Sequence, residues 1–81
     1  MALLQPEDQF FTILSSVLGV PRERLDRDSS RDSVEQWDSL KHMHLVLALE
    51  EGFAIEFEDS EVSELASAGE LLDSIGSKTV A

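Results

Sequence analysis

Only one stretch of this chain, Phe53-Ala54-Ile55-Glu56-Phe57, alternates apolar and polar residues, and no second stretch exists for it to pair with. A lone short strand is not stable in water, so sheet architectures are excluded. The run is expected to be an extended connector that drops three apolar side chains onto helices. The remaining apolar residues recur at helical spacing. Phe10, Ile13, Leu14, Val17 and Leu18 form one stripe behind Pro6, which follows Gln5 at a natural first helical position. Glu7 and Asp8 suit the positive end of that helix, and Gly19 with Pro21 is placed to stop it.

A second helix is expected from Asp38-Ser39 to Gly52, with Leu40, Met43, Val46, Leu47 and Glu50 along one side and Leu45 and Leu49 beside them. An apolar arc that wide belongs to a helix central in its bundle or sharing a face with a partner. Val62 and Leu65 mark a short helix over Asp59 to Leu65. Ser67 and Glu70 form a capping-box pattern opening a last helix, with Ala68, Leu71, Leu72 and Ile75 on its apolar face and Gly76 at its end. Residues from about 77 onward are expected to fray. The fold class is therefore all-α: a small four-helix bundle of three main helices and one short third helix. Residues 19–38 are the exception, being polar, without periodicity, and anchored by Val20 and Leu25. A connection that long in a compact domain calls for a functional reason, and a helical turn near Pro21–Leu25 would shorten it.

The chain has 81 residues, which make one domain spanning 1–81 with a small core and little room for an enclosed catalytic cavity. Cysteine is absent, which removes disulfides, thiolate metal sites and a cysteine nucleophile. Met1 to Pro6 lacks the pattern of a secretory signal and no apolar run approaches a membrane span, so the expected address is cytoplasmic. Six basic residues stand against 17 acidic ones, giving a net charge of −11. Nine of the acids lie between Glu50 and Asp73, a segment without a single base, whereas Arg22, Arg24, Arg27 and Arg31 cluster ahead of it. Such a surface repels nucleic acid and is steered toward basic patches on proteins.

Two chemistries fail on inspection. Ser39 has His42 and His44 nearby, but no Gly-x-Ser-x-Gly elbow or α/β framework supports a hydrolase, and both histidines read as surface residues. Asp26-x-Asp28-x-Ser30 begins like a calcium loop, yet Arg31 stands where glycine is needed and Trp37 where a glutamate is needed, so no metal site is expected.

The segment Trp37-Asp38-Ser39-Leu40 resembles the Asp-Ser-Leu signature of acyl carrier proteins, which also follows a long loop and opens a second helix. Leu45, Val46, Ala48, Leu49, Glu50, Glu51 and Phe53 resemble that family's second helix and its exit. Residues 53–57 resemble its connector, and Ala68 to Ile75 its fourth helix. The resemblance implies a non-catalytic carrier on which 4′-phosphopantetheine, taken from coenzyme A by a phosphopantetheinyl transferase, is attached to Ser39 and bears acyl groups as thioesters. A helix start suits such a serine, being exposed and tolerant of phosphate. From position alone Ser39 is a helix cap, but Asp38 is the better cap and leaves the hydroxyl free.

The resemblance further places Asp38, Leu40, Met43, Glu50 and Glu51 on the surface met by acyl-loading, acyltransferase or synthase enzymes with basic patches. Val46, Leu49 and Phe53 become residues that line an acyl shelter, a role that ordinary core packing would equally explain. Lys41 and His44 depart from the acidic residues common at their positions, and Trp37 from the small or apolar ones before the signature. These departures point to a specialised lipid, polyketide or related pathway rather than general fatty-acid synthesis. A monomer is expected, since no dimer seam is apparent. The alternative is an unmodified acidic adaptor with the same fold that binds proteins through its helices.

Overall fold

A computed structural model describes residues 6–79. Its elements are α1 (Pro6–Leu18), a 3₁₀ turn (Arg22–Arg24), α2 (Ser39–Phe53), α3 (Asp59–Glu64) and α4 (Ala68–Thr79), with no strand among the described residues. Gln5, Met1–Leu4 and the last two residues of the expected tail lie outside the described residues. The four-helix bundle is as the periodicities predict.

Phe10, Leu14 and Leu18 of the predicted α1 stripe are buried, with Ile13 and Val17 packed at its edge. Phe11 is buried as well, edge-on to Phe10 and covered on its other side by the Arg22 guanidinium, 4.3 Å from the ring centre. Gly19 takes φ +70°, and its N–H bonds the Ser15 carbonyl at 2.9 Å, so the predicted stop holds. Val20 and Leu25 are the buried anchors of the loop, which includes the expected helical turn.

The 19–38 connection is ordered because it zips onto the start of α4. Ala68 N–H bonds Ser29 C=O at 2.8 Å, Gly69 N–H bonds Arg27 C=O at 2.9 Å, and Arg31 N–H bonds Ala66 C=O at 3.2 Å. Ser30 and Ser67 form an isolated antiparallel bridge at the same place. Within the loop, Asp26 accepts from Asp28 N–H and the buried Ser29 hydroxyl accepts from Asp26 N–H, so side chains replace the missing helix or sheet partners. Ser67 caps α4 as expected, accepting from Glu70 N–H at 3.2 Å.

Three expectations are corrected. Gly52 does not end α2: the helix runs to Phe53 and turns at Ala54, which adopts φ 56°, ψ 49°. A Cβ on Gly52 would stand 2.9 Å from Ile13 Cδ1, and Gln9 Nε2 donates to the Gly52 carbonyl at 2.9 Å. That glycine sits where α1 approaches α2 rather than at the turn. Gly76 does not end α4, which runs to Thr79 with Lys78 in its last turn tied to Glu61 at 2.6 Å. Finally, α2 buries His42, Leu45, Val46 and Leu49, while Leu40, Met43 and Leu47 of the expected side are 64%, 47% and 59% exposed. Phe57 of the connector is buried, with Phe53 and Ile55 partly so, as its alternation predicts.

Candidate functional site

The start of α2 is built by Asp38. Its backbone is extended, at φ −92°, ψ −176°, and its Oδ1 accepts the Lys41 N–H at 2.8 Å. Ser39 is thereby the first helical residue rather than the cap. Its side chain is exposed, and its hydroxyl bonds no described residue. The first amides of any helix lack internal partners, so this hydroxyl stands beside N–H groups and the positive end of a 15-residue helix. A phosphodiester at this oxygen would be exposed to an enzyme and favoured by the local dipole. The residues present therefore fit a phosphate-linked arm.

Beneath Ser39 lies a polar tie that the sequence reading missed. The Trp37 indole N–H donates to His42 Nδ1 at 3.0 Å, and His42 Nε2 lies 2.8 Å from the Val62 carbonyl. A carbonyl only accepts, so Nε2 carries the proton and Nδ1 is the acceptor: the imidazole is neutral with both nitrogens used. The expectation of a surface residue holds for His44, which is exposed, but is wrong for His42, which is 3% exposed. Burial pushes the His42 pKa below its ordinary value. The Val62 carbonyl opposes that shift and the nearby Arg31 charge adds to it. One signal for the pair was in the sequence: with Asp38 as cap, Trp37 and His42 occupy the two positions joined by a hydrophobic staple.

Of the residues assigned to partner contact, Asp38, Leu40, Met43 and Glu51 are exposed, and Leu47 extends the apolar face they form. Glu50 is different. It is half-buried and accepts the Phe57 N–H at 2.8 Å, so its carboxylate fastens the connector to α2. Val46 and Leu49 are closed inside the core, with Phe53 at its margin. On the far side of Ser39 an open groove of about 370 Å³ is lined by Arg31, Asp32, Trp37, Asp38, Ser39 and Ala66.

Comparison with known proteins agrees with this geometry. Residues 8–75 match the family model for the phosphopantetheine attachment site. The chain is 33% identical over 70 residues to an acyl carrier protein of Guillardia theta, covering 86% of each chain. It is 32% identical over 68 residues to the acyl carrier protein of Acidothermus cellulolyticus, covering 84% of this chain and 81% of that one. With the acyl carrier protein of Thermosynechococcus vestitus it shares 33% identity over 69 residues, 85% of each. The match to the attachment-site model and the relatives together define a class of small helical carriers. This chain belongs to the acyl carrier protein family. It is a non-catalytic carrier bearing a phosphopantetheine arm, which supplies the thiol that the cysteine-free chain lacks. Membership also implies interaction with transferases and synthases. No described helix is long and apolar enough to cross a membrane.

Proposed function

We propose that Ser39 is the attachment residue and that the chain presents acyl thioesters to the enzymes of a specialised biosynthetic pathway. The observation that carries the first half is the division of labour at the helix start: Asp38 does the capping, and the Ser39 hydroxyl is exposed and unbonded. In the loading step, Ser39 Oγ forms a bond to the phosphorus of coenzyme A that bears the pantetheine. The pyrophosphate linkage breaks, adenosine 3′,5′-bisphosphate leaves, and the hydroxyl proton passes to a base of the transferase.

The second half rests on the face beside Ser39. Leu40, Met43 and Leu47 offer an apolar strip for docking, bordered by Lys41 and His44 in its first turns and by Glu51 further along. A partner must therefore meet basic or neutral groups near the serine and reserve its own basic patch for the acids beyond. Asp38 adds a negative charge at the serine itself, while Glu50 contributes through the connector it holds. Val46, Leu49 and Phe53 are the apolar wall that an acyl chain would part. The protein works as a monomer, and the absence of cysteine suits a cytoplasmic address.

Two measurements test these readings. The purified chain, incubated with coenzyme A and a broad-specificity phosphopantetheinyl transferase, should gain the mass of one arm, and Ser39→Ala should gain none. A wild type left unmodified beside a working control carrier would refute the attachment and leave an unmodified adaptor. Elongation of the loaded protein by general fatty-acid synthase enzymes, at the rate of a housekeeping carrier, would refute the specialised pathway.

A further inference from the structure

Of the four arginines clustered ahead of the signature, two are engaged by their side chains. Arg22 lies over the Phe11 ring and donates to the Leu25 carbonyl, and Arg27 pairs with Asp73 at 2.8 Å and with Glu7 at 3.9 Å. Arg24 is exposed on the 3₁₀ turn. Arg31 differs from all of them. Its side chain is half-buried, makes no ion pair with a described residue, and lines the groove that opens on Ser39.

Its position is fixed by main chain. Arg31 N–H bonds the Ala66 carbonyl at 3.2 Å, and the adjoining Ser30 bridges to Ser67 at the head of α4. The long loop thus holds this residue across the groove from the start of α2. Arg31 lines the groove together with Trp37, Asp38 and Ser39, and its charge is also felt at His42. Asp32 and Asp38 line the same groove, and neither forms an ion pair with Arg31. A chain of net charge −11 would set a further negative charge beside two carboxylates whenever a phosphodiester is formed at Ser39. Among the described residues, the one cation lining that groove is Arg31.

We propose that Arg31 is a phosphate-positioning residue: its guanidinium receives the phosphodiester that joins the arm to Ser39, so that the arm leaves the protein along the groove toward Ala66. A planar guanidinium matches two phosphate oxygens with parallel N–H donors, which a lysine cannot reproduce. The anchored end of the arm is then held in one direction while its thiol end remains free to travel. This also gives the polar connection of residues 19–38 a function, since its zipper to α4 is what presents Arg31. The inference rests on Ser39 being the attachment residue.

The test compares apo and fully modified protein, with occupancy established by intact mass. In the wild type, modification should shift the Arg31 Nε–Hε resonance downfield and leave that of Arg24 in place. In the ³¹P spectrum the phosphodiester should relax faster in the wild type than in Arg31→Gln, with Arg31→Lys intermediate and Arg24→Gln like the wild type. Arg24→Gln removes the same charge, so it separates a local contact from a change in net charge. Arg31→Gln keeps the main-chain bond to Ala66, and circular dichroism verifies its fold. If the arm is attached yet the Arg31 resonance does not move and the phosphorus relaxes alike in all variants, the positioning role is overturned and Ser39 stands. If no arm can be attached at Ser39, both fall together.

Discussion

The Trp37–His42–Val62 tie predicts a loss of stability in mild acid that a single residue should account for. His42 is held neutral in the folded chain, with Nδ1 accepting from Trp37 and Nε2–H directed at the Val62 carbonyl. Protonation would set a second N–H against the indole N–H in a buried place, with the Arg31 charge nearby. The folded pKa is therefore below the ordinary value of 6.5 that applies to the unfolded chain. For a group shifted downward, the stabilisation is present in full above the unfolded value and is lost as pH falls toward the folded one. In that window the unfolded chain binds the extra proton. One pH unit below 6.5 the contribution lost is at most RT ln 11, about 1.4 kcal/mol. The overall charge changes with pH too, so the difference from His42→Gln, which cannot take up this proton, is the quantity to measure. Urea unfolding at a series of pH values, followed by the emission of Trp37, the only tryptophan, provides it. Wild type should lose stability relative to His42→Gln as pH falls from about 7.5 to about 5.5. A difference constant within about 0.3 kcal/mol over that range would show that the imidazole is not held neutral, and the assignment of its proton would be wrong.

Other consequences can be checked in the same way. Gly69→Ala would bring a Cβ to 3.1 Å from the Arg27 carbonyl, backbone that cannot swing aside, so the loop zipper should loosen and thermal stability fall by about 1–3 kcal/mol. Glu61 is held at about 2, below its ordinary 4.5, first by the Glu58 N–H and then by Lys78 and Ser74. Its stabilisation is complete above about 4.5 and lost as pH falls toward about 2, so Glu61→Gln should flatten that limb of an acid-unfolding curve. Self-repulsion at a net charge of −11 should make the melting temperature rise from low to moderate salt, and more with magnesium, and a flat response would contradict it.

The helices were legible because their apolar spacing is local information. Phe10, Leu14 and Leu18 need only their own turn to declare a buried stripe, and one unpaired alternating run suffices to exclude a sheet. Glycine was misleading where its use is tertiary. Gly52 is shaped by Ile13, some forty residues away, and the turn falls at Ala54 instead. Gly76 remains helical because Lys78 finds Glu61. The face of α2 was ambiguous since apolar residues cover most of its circumference, and only packing against α1 decides that Leu45 and Leu49 go inward while Leu40 and Leu47 do not. Ser39 stood out through its resemblance to a known signature, whereas the groove beside it did not. That groove exists because residues 27–31 meet residues 66–69, a pairing that no periodicity encodes.

The bundle is fastened in two different ways, and the site lies where they meet. α1, α2 and α4 share a core of fully buried side chains, among them Phe10, Leu14, Leu45, Leu49, Leu71 and Ile75, each contributing roughly 1.5–3 kcal/mol. α3 buries no residue completely and has only Val62 and its neighbour Leu65 packed on that core. What holds it otherwise is polar: His42 to the Val62 carbonyl, and Glu61 to Ser74 and Lys78. Such bonds are individually weak beside a shared apolar core, so α3 is the helix that detaches at least cost while the rest of the bundle stays closed. One of its fasteners is the imidazole that also fixes Trp37, the residue before the Asp38 cap. The helix most easily released and the residue before the α2 cap are therefore tied to the same side chain, so His42 joins the loosest helix to the start of α2.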